Sequence, residues 1–280
     1  MSLKDLLVFV ANADTDEPAV ALADALAGGH DAHLSATFMI ALPDEPLAYE
    51  PTIVAGVWSE LLARARKESE GERARLEQRF NALSRPVEMR VAEGLGRDIG
   101  RIAGVHARYA DLAVLARPVI GHGGEMREEL VEGVMFHAGR PVLLAPPKWR
   151  AGAIGETIVI AWDASREATR AVAEARPFLS RARQVTILTI DAKPNAFGHG
   201  EQPGANIAAH LSRRGVSVSV KNADSLGRTI ARAIAEECQA LNADLLVMGA
   251  YRHSRLREMV FGGATRDLLE HAHLPVLMAH

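Results

Sequence analysis

Short, unbroken apolar runs alternate along this chain with longer segments whose apolar positions recur at helical spacing. The pattern is clearest in the second half. TIVIAWD (157–163) is a continuous apolar run ending in a polar turn, as expected of a strand covered on both faces. SREATRAVAEARPFLSRA (165–182) then shows helical periodicity, with Ser165 placed to cap it and Glu167 in its first turn. VTILTID (185–191) and VSVSVKN (216–222) read as second and third buried strands. SLGRTIARAIAEECQALN (225–242) reads as a helix opened by Ser225. DLLVMG (244–249) follows as a strand, ATRDLLEHAH (264–273) as a helix and PVLMA (275–279) as a last strand. Strands alternating with helices predict an α/β fold, a parallel sheet with helices on both sides.

The first half follows the same plan with one enlargement. After the strand HLSATFMIAL (33–42) and the loop DEPLAYEP (44–51), residues 52–84 read as one long helix. Its later part is dense in Glu and Arg at i,i+3 and i,i+4 spacing, the pattern of a solvated face. Its start, IVAGVWSELL (53–62), is apolar enough to lie against the sheet or the other half.

The resemblance between halves extends to residue identity. LGRDIGRIAGVHARYADLAVLA (95–116) matches LGRTIARAIAEECQALNADLLVMG (226–249) in Leu-Gly-Arg and in Ala-Asp-Leu-x-Val. RPVLLAP (140–146) matches LPVLMAH (274–280), and LLVFVANAD (6–14) matches TIVIAWDAS (157–165). Matched blocks in one order mark an internal duplication. The Pro- and Gly-rich stretch APPKWRAGAIGE (145–156) separates the copies, giving domains 1–147 and 156–280 and a linker over 148–155.

Composition narrows the function. Net charge is -3, from 32 basic and 35 acidic residues, which gives no global attraction for nucleic acid or an acidic membrane. Cys238 is the only cysteine, so neither an intrachain disulfide nor a multi-cysteine zinc site is available. No run is long and apolar enough for a membrane span, and the N-terminal apolar run is too short for a signal peptide, so a cytoplasmic protein is expected. His271 and His273 stand at i,i+2 and diverge on a helix, so no metal is expected beyond a Mg²⁺ accompanying a nucleotide. No P-loop, no G-x-S-x-G turn and no nucleophile–base constellation appears, which argues against an enzyme.

The remaining candidate is the stretch MGAYRHSRLREMVFGGATRDLL (248–269). A helix N-terminus presents unpaired N–H groups and partial positive charge, and Gly262 and Gly263 would let an anion approach the backbone before the last helix. Thr265 adds a hydroxyl. Asp163, after the first strand of this half, would share the carboxyl edge of the sheet with this loop.

These residues resemble the universal stress protein family, and the plan of the chain resembles a tandem member with two such domains. Nucleotide-binding members carry G-x2-G-x9-G followed by a small hydroxyl residue. Gly249 and Gly262 fit its first and last glycines, Arg252 stands at the middle one, and Gly263, Ala264 and Thr265 follow. The resemblance implies Rossmann-like domains of the adenine nucleotide alpha hydrolase-like type, each a five-stranded sheet of order 3-2-1-4-5. Their last strands, PVLLA (141–145) and PVLMA (275–279), would pair and form a pseudo-dimer within the chain. It also implies ATP or a related adenine nucleotide in the C-terminal domain, with Asp163 near the adenosine and Gly262–Thr265 at the phosphates. Arg252 is open to three readings: it strengthens anion binding, points into solvent, or fills the cradle.

The first half does not repeat the motif. Counting from shared residues puts Ala116 opposite Gly249, Asn12 opposite Asp163, and Glu128 and Glu129 opposite Gly262 and Gly263. Carboxylates there would repel a phosphate, so no nucleotide is expected in this half. Three functions remain: a nucleotide-responsive stress protein, a protein-interaction scaffold without nucleotide, and a slow ATP hydrolase. Protein partners and further homodimerisation are left open.

Overall fold

The computed structural model describes residues 2–44, 51–118, 124–195, 198–250 and 263–280, with only the backbone of 51–55 and 263–264. The first half contributes β1 (Asp5–Val10), β2 (His33–Leu42), β3 (Glu88–Leu95), β4 (Leu112–Ala116) and β5 (Val142–Ala145). The second contributes β6 (Thr157–Ala161), β7 (Gln184–Ile190), β8 (Val218–Ala223), β9 (Leu245–Gly249) and β10 (Val276–Ala279). They form one sheet in the order β3-β2-β1-β4-β5-β10-β9-β6-β7-β8. Neighbours run parallel except at the centre, where β5 and β10 pair antiparallel with Leu143 opposite Leu277. The two apolar runs at 141–145 and 275–279 thus cover each other, and neither is left as an exposed edge.

The helices of the first half are α1 (Glu17–His30), α2 (Pro51–Asn81), α3 (Ile99–Ala107) and α4 (Gly124–Glu132), the last running into a π-helical turn at Gly133–Ala138. Those of the second are α5 (Arg166–Glu174), α6 (Arg176–Leu179), α7 (Ala205–Ser212), α8 (Ile230–Ala240) and α9 (Gly263–His271). Alternate strand residues feed opposite cores. On one face Leu6 and Val8 meet Leu22 and Leu26 of α1 in a cluster that continues to Ile158, Phe178 and Leu179. On the other, Leu7, Phe9 and Leu144 belong with Val159, Met278, Ile234 and Leu268. Both cores therefore run across the seam between the halves.

The repeated Ala-Asp-Leu acquires a physical reason. Asp111 accepts hydrogen bonds from the amides of Lys4 and Asp5 at 2.7 and 3.1 Å. Asp244 does the same for Gly155 and Glu156 at 2.8 and 3.0 Å. In each half one carboxylate satisfies the amides that lead into the first strand and fixes its register against the fourth.

Several local expectations shift. β8 is a half-exposed sheet edge rather than a buried strand, because only β7 pairs with it. Pro177 divides the predicted helix over 165–182 into α5 and α6, since it supplies no amide to continue the first. Ser165 does cap α5, accepting from the Ala168 amide at 3.1 Å. The cap of α8 is Thr229, which accepts from Arg232 N at 3.2 Å, and not Ser225. Leu226 and Gly227 intervene at φ 52° and 80°, a left-handed turn that a helix cannot contain. Among the described residues no helix is long and apolar enough to cross a membrane.

Candidate functional site

In the second half the chain leaves β6 for β7 on one side, while β9 lies on the other, so strand order reverses between β6 and β9. Open parallel sheets bind ligands at the carboxyl ends of strands at such a switch point. Asp163 stands just past β6, exposed, and its Oδ1 accepts from the Ser165 amide at 3.0 Å. Between them Ala164 takes φ 58°, a left-handed conformation that closes the turn before α5. Gly249 ends β9 beside it. A Cβ built on Gly249 would lie 2.4 Å from the Ala168 amide nitrogen and 2.8 Å from the Glu167 Cβ. The first turn of α5 rests directly on the end of β9, and only glycine leaves room for it. Gly249 therefore has a packing role that its place in the motif does not reveal.

Gly263 and Ala264 open α9, and Thr265 lies in its first turn with 7% of its surface exposed. Arg252 and Gly262 lie outside the described residues. The sequence reading missed two neighbours of Gly249. Glu167 is buried where α5 meets β9. Burial opposes its ionisation, yet hydrogen bonds from Arg166 and from its own backbone hold the carboxyl below its usual range. His280 places Nδ1 3.1 Å from the Ala250 carbonyl and packs edge-on against Phe136 of the first half. Its position near Glu167 depends on β10 and α5 converging, which no local pattern encodes.

The corresponding edge of the first half is a cavity of about 310 Å³ between the ends of β1 and β4 and helix α4. Its polar groups are already engaged. Asp16, the N-cap of α1, makes no cap bond to its own helix. Its Oδ2 instead accepts from the amides of Ala11 and Asn12 at 2.7 and 2.9 Å. Its Oδ1 receives Arg127 Nε and Nη2 at 3.0 and 2.8 Å, with both side chains almost wholly buried. Arg127 was not singled out by the sequence, and two positional assignments change here. Glu128 and Glu129 do not line this cavity. Glu128 pairs with Arg266 of α9 at 3.0 Å, and Glu129 packs against Gly100 of α3, where burial and Glu128 push its carboxyl pKa up. The π-helical turn after α4 holds an extra residue, so counting back from Pro141 assigns the wrong face of that helix. Strand register also sets Asp5 against Asp111 as it sets Thr157 against Asp244, which brings Ala11, not Asn12, opposite Asp163.

One further side chain joins the halves. Arg117, just past β4 and 5% exposed, donates Nη1 to the carbonyls of Leu269 (2.5 Å) and Ala272, and Nη2 to Leu274 (3.1 Å). It caps the carboxyl end of α9 from the other half. Burial lowers its pKa to about 10, which leaves it charged at neutral pH. Among the described residues no group of His, Cys, Asp and Glu is arranged to hold a metal ion.

The universal stress protein family model matches residues 155–280. No curated protein matches the chain in sequence. Among solved structures, a universal stress protein from Archaeoglobus fulgidus DSM 4304 is 14% identical, with 98% of this chain and 96% of that one covered at a TM-score of 0.67. A functionally unknown protein from Pseudomonas aeruginosa PAO1 is 16% identical, with 99% and 92% covered at a TM-score of 0.55. At such identities the likeness is one of fold, and it extends over both halves. Residues 155–280 thus match the universal stress protein family model, and the fold of the whole chain is like that of a solved universal stress protein.

Proposed function

We propose that this chain is a tandem universal stress protein whose C-terminal domain alone binds ATP or a related adenine nucleotide. Its domains span 1–147 and 156–280, joined by 148–155, each with strand order 3-2-1-4-5 and paired through β5 and β10 as a pseudo-dimer. Asp163 serves the adenosine, and the amides opening α9 with Thr265 serve the phosphates, together with Gly262 and Arg252 in the preceding loop. Any Mg²⁺ arrives with the nucleotide. Binding shifts loop order or partner affinity by as much as the ligand prefers one state over the other.

The observation that carries this reading is a contrast between N-caps. Asp16 in the first half spends its carboxylate on the amides after β1 and on Arg127, so the donors an anion would need are taken. The Ser165 hydroxyl in the second half accepts from the Ala168 amide of its own helix. A scaffold without nucleotide remains the second reading. It is favoured by Gly249, which packing alone would retain.

Equilibrium binding of labelled ATP separates the two. The expected result is one saturable site per chain, lost in Gly262→Glu and weakened in Asp163→Ala, with Arg127→Ala binding as wild type does. Absence of saturable binding at millimolar ATP would leave the scaffold reading.

A further inference from the structure

A cavity of about 940 Å³ lies at the seam, within the size range of small-molecule sites. Each half contributes a wall, and residues 148–151 of the linker line it as well. Pro118, Pro146, Trp149, Leu269 and Ala272 supply apolar surface. Trp149 donates its amide to the Pro146 carbonyl at 3.0 Å, a turn from which Lys148, Trp149 and Arg150 all line the cavity.

The charge in these walls does not balance. Glu128 is committed to Arg266. Among the described residues Arg117, with 5% of its surface exposed, meets only carbonyl oxygens, and its Nε is buried with no partner. No carboxylate pairs with Arg117, Lys148 or Arg150 among the described residues, and Glu270 alone opposes them in the lining. The α9 carbonyls offer Arg117 only partial negative charge, so an anion entering the cavity would add to its compensation.

We propose that this cavity binds an organic anion with an apolar body, an acyl or aromatic carboxylate or sulfonate. The apolar part rests on Trp149, Pro146 and Leu269, and the acidic group meets the excess positive charge. This site is separate from the carboxyl edge at β6 and β9 and does not depend on nucleotide binding there.

The probe is 1-anilinonaphthalene-8-sulfonate, titrated by fluorescence into the full chain and competed with dodecanoate. One saturable site displaced by dodecanoate and weakened by added salt is expected. The double variant Lys148→Ala/Arg150→Ala removes two exposed, unpaired cations and should fold as wild type does. It should weaken binding about tenfold, the scale of two partly screened charge contacts. Ala151→Trp at the rim should block the probe with an unchanged melting curve. The proposal is overturned if no saturable site appears, or if both variants bind the probe as wild type does. Displacement by ATP with no effect of either variant would place the probe in the nucleotide site and also overturn it.

Discussion

At the scale of single residues, close approach matters more than motif membership. Gly249→Ala would drive a methyl into the Ala168 amide, so a loss of about 2 to 3 kcal/mol is expected in urea denaturation even without ligand. Ala164 carries a Cβ in a left-handed turn, and Ala164→Gly should stabilise by about 0.5 to 1 kcal/mol in the same measurement. Glu129 has a folded pKa raised by burial and by Glu128, so its ionisation works against folding. Glu129→Gln should therefore raise stability at neutral pH. The gain should fade as pH falls through the folded pKa and vanish below the ordinary value of 4.5, followed by denaturation across that range. Gly249 and Thr265 could be singled out by the motif the chain resembles, and Asp163 by its place after a strand. Arg127 and Glu167 could not, because a lone Arg or Glu on a helix reads as a solvated residue until its neighbours are known.

At the scale of elements, helix ends settle what periodicity leaves vague. Thr229→Ala should cost about 1 kcal/mol through the lost cap of α8, while Ser225→Ala, outside the helix, should cost less; thermal melts of the two variants decide it. Arg117→Met should lower stability by about 2 to 3 kcal/mol, because a charged donor to the last carbonyls of α9 is lost. The strands of the second half were legible as apolar runs. The start of α8 was not, since Ser225 and Thr229 are both good caps and only the turn at Leu226 and Gly227 chooses between them. The face of α4 was hidden for a similar reason: a π-helical turn changes which residues face inward and leaves no mark in composition.

At the scale of the molecule, β5 and β10 make one sheet of two halves, and both cores cross it. The halves should therefore unfold together, in one calorimetric transition that coincides with loss of secondary structure. Two resolved transitions would mean that the seam is weaker than its packing implies. Arg117 and the Glu128–Arg266 pair bind α9 to the first half at both its ends, so a half that lacks the motif still holds the helix on which the proposed site depends.

The sequence by itself determined the α/β class, the duplication, the apolar strands that meet at the seam and the loss of the motif from the first half. These depend on local periodicity and on residue identity, which the chain displays directly. The tertiary structure alone decided that Asp16 and Arg127 close the front cavity, that Arg117 caps a helix far along the chain, and that uncompensated cations gather between the halves. Each of these is a meeting of side chains distant in sequence, and only the folded backbone sets which charges become neighbours.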